Sequence, residues 1–166
     1  QDNGKLLREM VGMNTMTPAY YRYFAETADH IFGDVIRGGA PEVFSYTVHE
    51  PYGVIAVQLP WNTPSVILAQ AAAPALAAGN ALVIKPSEFA AASTLEFAKL
   101  VDQAGFPPGV INVVTGMGSV VGAALCNDPD IDKIAFTGSP EAGRLVARQA
   151  AEYLIPTVLE LGGKSP

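Results

Sequence analysis

Val54-Ile55-Ala56-Val57-Gln58-Leu59, the proline-braced turn Pro60-Trp61-Asn62-Thr63-Pro64, the alanine-rich run Ser65 to Ala78 and then Ala81-Leu82-Val83-Ile84 decide the fold of this chain. A short β-branched run, a helix-length apolar segment and a second short apolar run describe a strand–helix–strand crossover. The alternation continues through helix Ala91 to Ala104, strand Val110 to Val114, helix Ser119 to Cys126, strand Lys133 to Phe136, helix Pro140 to Leu154 and strand Thr157 to Leu161. Strands separated by helices of this length predict an α/β fold, a Rossmann-like open parallel five-stranded sheet with helices on both faces. Such sheets bind ligands outside the carboxyl ends of their strands, at the switch point, so the loops there carry the functional reading.

The first fifty residues follow another pattern. Leu6 to Phe32 reads as helix, with a break or a new first turn at Pro18. Its Tyr20, Tyr21, Tyr23 and Phe24 form a stripe suited to core or subunit contact. Val35-Ile36 and Val43 to Val48, around Gly38-Gly39, predict a β-hairpin arm.

Composition narrows the function classes. Of 166 residues, 49% are hydrophobic and 16% charged, which describes a well-buried globule. The net charge is −6 and the ten Lys and Arg residues form no stripe, which argues against nucleic acid. One cysteine excludes an internal disulfide framework and points to a reducing, cytoplasmic location. The apolar run Ser65 to Ala78 is too short to span a membrane and is interrupted by Gln70 and Pro74. The polar opening Gln1-Asp2-Asn3-Gly4-Lys5 is no signal peptide, and without an initiating Met it places the true start upstream. His30 and His49 lack metal-ligand spacing to each other or to Cys126, so no metal site is expected. Cys126 itself falls on an apolar helix face and reads as core.

Five strand ends carry chemistry. Asn62 presents an amide that can donate to a developing oxyanion, a contribution worth about 3 kcal/mol in favourable cases, or it caps the following helix. After the second strand come Lys85, Ser87 and Glu88. In a dinucleotide-binding unit an acid here bonds the adenosine ribose and repels a 2′-phosphate. Alternatively, Ser87 and Glu88 cap a helix starting near Ala90. Two glycine loops compete for a pyrophosphate: Gly116-Met117-Gly118 through Gly122, and Gly138-Ser139-Pro140-Glu141-Ala142-Gly143. The second exposes amides at a helix N-terminus, with Glu141 directed outward. Glu160 closes the last strand before Gly162-Gly163. A buried carboxylate there is either paired or held for proton transfer.

Taken in order, Asn3-Gly4-Lys5, His49-Glu50-Pro51-Tyr52-Gly53, Pro60-Trp61-Asn62, Lys85-Pro86-Ser87-Glu88, Gly105-Phe106-Pro107-Pro108-Gly109-Val110, Phe136-Thr137-Gly138-Ser139 and Glu160-Leu161-Gly162-Gly163-Lys164-Ser165-Pro166 resemble the aldehyde dehydrogenase superfamily over nearly the whole chain. The resemblance implies that residues 51–166 are an NAD(P)-binding domain and that residues 1–50 serve packing and oligomerisation, in a homodimer or homotetramer. It implies that Asn62 holds the oxyanion and that Glu160 is the general base for thioester hydrolysis. Pro60, Trp61, Lys85, Ser87, Glu88, Gly118, Gly122, Phe136, Gly138, Ser139, Leu161 and Gly162 contact the cofactor, NAD with NADP possible. In the implied reaction a cysteine thiolate attacks a small-molecule aldehyde, the thiohemiacetal loses hydride to the nicotinamide, and the thioester is hydrolysed to a carboxylic acid. That cysteine lies past Pro166 in the family, and Cys126 does not match it. The chain is thus expected to be a central excerpt, inactive alone. Met16, Thr63, Val66, Ile67 and Gln70 match one wall of the aldehyde tunnel. The alternative is a non-catalytic protein that retains the fold for nucleotide binding or structure.

Overall fold

The computed structural model describes residues 2–165; Gln1, and Pro166 at the end of the glutamate–glycine motif, lie outside the described residues. The strand–helix alternation is realised as a parallel sheet. Its strands are β3 (Val54–Gln58), β4 (Ala81–Lys85), β5 (Ile111–Val113), β6 (Lys133–Gly138) and β7 (Thr157–Leu161), following the arm strands β1 (Val35–Ile36) and β2 (Ser45–Tyr46). The order across the sheet is β5-β4-β3-β6-β7, and every neighbouring pair is parallel. The chain winds outward from β3 to β5, then returns to build β6 and β7 on the other side. The direction reverses between β3 and β6, where α/β sheets open a crevice.

Side chains alternate between the two faces of each strand, so the sheet supports two cores. Ile55, Val57, Leu59, Leu82 and Ile84 pack on one face with Leu68 and Ala72 of α3 (Pro64–Ala77). The flanking α4 (Ala92–Gln103) adds Phe97 to this core. Ala56 and Ile134 pack on the other face with Cys126 of α5 (Ala123–Cys126) and with Val146 and Ala150 of α6 (Pro140–Glu152). Each fully buried Leu or Ile contributes about 1.5–3 kcal/mol. Alanines at positions 69, 72 and 73 let α3 lie close on the strands, and all three are buried.

The end of α3 is fixed by sequence. Gly79 takes φ 83°, the left-handed conformation that stops a helix. Its N–H reaches Leu76 O at 2.9 Å, and Asn80 N reaches Ala75 O at 3.1 Å. The buried Asn80 side chain donates to Ala75 O at 2.9 Å and accepts from Gly53 N at 3.0 Å. Helix end and strand start are tied by one satisfied amide.

The first fifty residues depart from expectation in detail. Instead of one helix to Phe32 there are α1 (Leu7–Asn14), α2 (Thr17–Thr27) and a 3-10 turn (Ala28–His30). The break precedes Pro18 because proline, lacking an N–H, belongs in a first helical turn. Neither α1 nor α2 has a buried residue, although Gln70 Nε2 donates to Tyr20 Oη at 2.9 Å and the Tyr21 ring stacks on Phe97 at 5.9 Å. The arm pairs antiparallel, but β2 spans only Ser45–Tyr46 rather than Val43 to Val48. Phe44 and Tyr46 are 74% and 61% exposed, so β-propensity meets no core to extend the ladder. Among the described residues no helix is long and apolar enough to cross a membrane, and no cluster of His, Cys, Asp and Glu could hold a metal ion.

Candidate functional site

The end of β3 runs into Pro60-Trp61-Asn62-Thr63 before α3 begins at Pro64. Thr63 occupies the N-cap position without a side-chain cap bond. The capping alternative for Asn62 therefore fails. Asn62 is exposed, and its main-chain carbonyl accepts from Asn3 Nδ2 at 2.8 Å.

At the end of β4, Lys85 is only 3% exposed. Burying an ammonium is costly without partners. Its Nζ donates to Pro86 O at 2.8 Å and lies 3.7 Å from Glu88 Oε2. Glu88 Oε1 accepts from Gly118 N at 3.4 Å, drawing the loop after β5 toward the end of β4. Its own backbone N–H, with help from the Gly118 N–H and the Lys85 charge, holds the Glu88 carboxyl below the usual carboxylate range against partial desolvation. Ser87 Oγ accepts from Phe89 N at 3.3 Å, closing a local turn. The helix α4 starts at Ala92 with Ala91 as an uncapped N-cap residue, so Ser87 and Glu88 do not cap it. A local turn holds Ser87, and a partner thirty residues away holds Glu88.

The segment predicted as helix Ser119 to Cys126 is a five-residue π turn, Gly118–Gly122, followed by α5. Cys126 is fully buried, and burial pushes its thiol up, so the core reading holds. At the end of β6, Ser139 is the N-cap of α6 and its Oγ accepts from Ala142 N at 3.1 Å. Glu141 is exposed. A Cβ at Gly138 would stand 2.6 Å from Phe136 Cζ, so only glycine lets the ring and turn approach this closely.

Glu160 overturns an expectation. It is exposed rather than buried, because among the described residues β7 is an edge strand paired only with β6, where Glu160 lies opposite Thr137. The desolvation argument drawn from its apolar neighbours does not apply here. Leu161 lies against Gly143, and a Cβ there would stand 2.5 Å from Leu161 Cδ2.

These strand ends meet in one cleft of about 1300 Å³. Pro60, Trp61, Asn62, Lys85, Ser87, Glu88, Gly118, Phe136, Gly138, Ser139, Glu160, Leu161 and Gly162 line it, while Gly122 is buried outside its lining. Ile67 and Gln70 of the expected aldehyde wall also line it; Met16, Thr63 and Val66 do not. The cleft continues along the sheet past Ile55, Ala135 and Val158. Sequence reasoning missed Gln58, Phe89 and Thr137 in its lining. Gln58 offered a signal, a polar side chain ending an otherwise apolar strand.

The sequence model of the Aldehyde dehydrogenase family matches residues 1–166. The chain is 48% identical over 165 residues to a (Z)-2-((N-methylformamido)methylene)-5-hydroxybutyrolactone dehydrogenase of Acinetobacter baylyi, covering 99% of this chain and 34% of that protein. Its fold is similar to a solved betaine aldehyde dehydrogenase of Staphylococcus aureus in complex with NAD+ (TM-score 0.96, 38% identity, 99% of this chain and 33% of that one). It is also similar to a solved NADP dependent enzyme of E. coli (TM-score 0.95, 40% identity, 98% and 34%). The chain spans about a third of the length of these relatives.

Proposed function

This chain belongs to the aldehyde dehydrogenase family, and from that premise we propose that residues 51–166 are the nucleotide-binding part of a protein that oxidises an aldehyde to a carboxylic acid with NAD. Convergence carries the reading. Asn62, Lys85 with Glu88, Gly138 with Ser139, and Glu160 come from four strand ends and line one cleft at the switch point of the sheet. Residues 1–50 are the packing and oligomerisation segment, a role supported by the exposed Phe44 and Tyr46 of the arm.

The cleft fits a dinucleotide. It exceeds the volume of ordinary small-molecule pockets, roughly 300–1,000 Å³. Lys85 and Glu88 offer a donor and an acceptor for ribose hydroxyls. The Glu88 carboxylate disfavours a 2′-phosphate, hence NAD before NADP. The start of α6 offers amides and the helix dipole to a phosphate, as far as Ser139 leaves them open. Bound there, the nicotinamide supplies a hydride acceptor. The chain's own residues supply the rest: the exposed Asn62 amide stabilises negative charge on the substrate oxygen, and the exposed Glu160 carboxylate takes a proton from water.

The test uses the full-length protein with NAD and a panel of short aliphatic and aromatic aldehydes. Aldehyde-dependent NADH formation is expected, and none across the panel overturns the reading. Glu88→Gln is expected to narrow the NAD-over-NADP affinity ratio by about tenfold, the worth of a charged hydrogen bond of ~1.5 kcal/mol. An unchanged ratio removes the ribose role from Glu88.

A further inference from the structure

Gln58 ends β3 and lies in register between Lys85 of β4 and Phe136 of β6, at the switch point itself. It is 6% exposed, and the residues before it on β3 are apolar. A buried carboxamide costs about 1–3 kcal/mol unless its hydrogen bonds are made. Here the Nε2 donor finds its partners in one segment. Nε2 donates to Gly122 O at 3.2 Å and contacts Cys126 Sγ at 3.2 Å.

Gly122 closes the π turn whose first residue, Gly118, donates its N–H to Glu88. The fit is close. A Cβ at Gly122 would stand 2.8 Å from Gln58 Oε1 and 3.7 Å from Lys85 Cδ. The π geometry is uncommon and recurs at functional sites, and here a buried amide from the central strand anchors its last residue.

We propose that Gln58 is a positioning residue for the nucleotide cleft. It anchors the Gly118–Gly122 turn so that the Gly118 N–H meets Glu88 and keeps that carboxylate beside Lys85. The inference rests on the reading of Lys85 and Glu88 as ribose contacts. Gln58 acts through the turn; it need not touch the cofactor.

The experiment compares full-length wild type with Gln58→Met, Gln58→Glu and Cys126→Ala. Methionine keeps the length and removes the donor. In the cofactor-free protein, Gln58→Met is expected to speed amide hydrogen exchange at residues 116–122 by about tenfold, with β4 and α6 unchanged, and to weaken NAD binding by a similar factor. Cys126→Ala keeps the Gly122 bond and is expected to hold both quantities within about twofold. In Gln58→Glu, a protonated carboxyl can donate to Gly122 O whereas a carboxylate faces it with like charge. Its NAD affinity relative to wild type is therefore expected to recover as pH falls. Unchanged loop exchange in Gln58→Met, acceleration spread evenly over the fold, or no acid recovery in Gln58→Glu overturns the proposal. If wild type binds NAD and Glu88→Gln changes its nucleotide preference while the Gln58 variants behave as wild type, this inference alone falls. If wild type binds no NAD, both readings fall.

Discussion

The turn after β5 and the turn after β6 each place glycines before a helix, and they differ in where the partners of their side chains and first amides come from. After β6 the turn is self-contained: Ser139 Oγ takes Ala142 N, Ser139 O takes Gly143 N at 2.9 Å, and Pro140 has no N–H to satisfy. After β5 no side chain caps the turn. Gly118 N instead reaches a carboxylate thirty residues earlier in the chain, and Gln58 grips the far end. Both turns close locally, Val121 N onto Met117 O at 2.9 Å after β5, but only the β5 turn is also held from afar, by Gln58 of β3 and by Glu88 in the loop after β4. The difference implies that the β6 turn survives substitution on local terms, whereas damage to the β5 turn spreads into Lys85 and Glu88.

The largest expected effect follows at Gly122. Gly122→Ala should destabilise the fold by about 2 kcal/mol, because Gln58 cannot yield to the new methyl without giving up its hydrogen bonds. Gly143→Ala also starts from a close contact, but with the end of Leu161, a side chain on the edge strand that can turn away. Under 1 kcal/mol, roughly, is expected there. Denaturant unfolding of both variants checks the ranking. Gly143→Ala costing as much as Gly122→Ala would break the contrast between the turns.

Ser139→Ala comes next, at about 1 kcal/mol, the usual worth of an N-cap oxygen. The loss should stay in α6, seen as faster exchange of its first-turn amides, with the Gly118–Gly122 turn unaffected. Coupled loosening of both turns would mean that they form one cooperative unit.

The contrast also explains what the sequence disclosed. Strands β3 to β7 were legible because β-branched runs between helices have one economical arrangement, a parallel sheet covered on both faces. The Ser139 turn was legible because its partners lie within five residues. Local rules failed where distant strands supply the partner. Capping rules assign Glu88 to a helix start, whereas it bonds Gly118 in the loop after β5, with Lys85 beside it. The π turn needed Gln58, whose register beside Lys85 depends on the strand order. Glu160 looked buried because its neighbours are apolar, but an edge strand exposes what a central strand would cover.

The smallest expected effect concerns the far end of α6. Beyond its C-cap Tyr153 comes Leu154, whose φ of 55° is left-handed and whose side chain is 89% exposed. Its N–H still closes onto Ala151 O at 3.2 Å and Ile155 N onto Ala150 O at 2.9 Å, the same pair of bonds that Gly79 arranges at the end of α3. A branched residue in that conformation carries strain that glycine does not, and an exposed leucine contributes little packing to lose. Leu154→Gly should therefore raise stability by about 0.5 kcal/mol after glycine's extra chain entropy is counted. A slightly higher Tm with unchanged exchange at residues 116–122 is the expected result. If stiffening α6 from its C-terminus also protects the β5 turn, then α6 shares the load that the geometry assigns to Gln58.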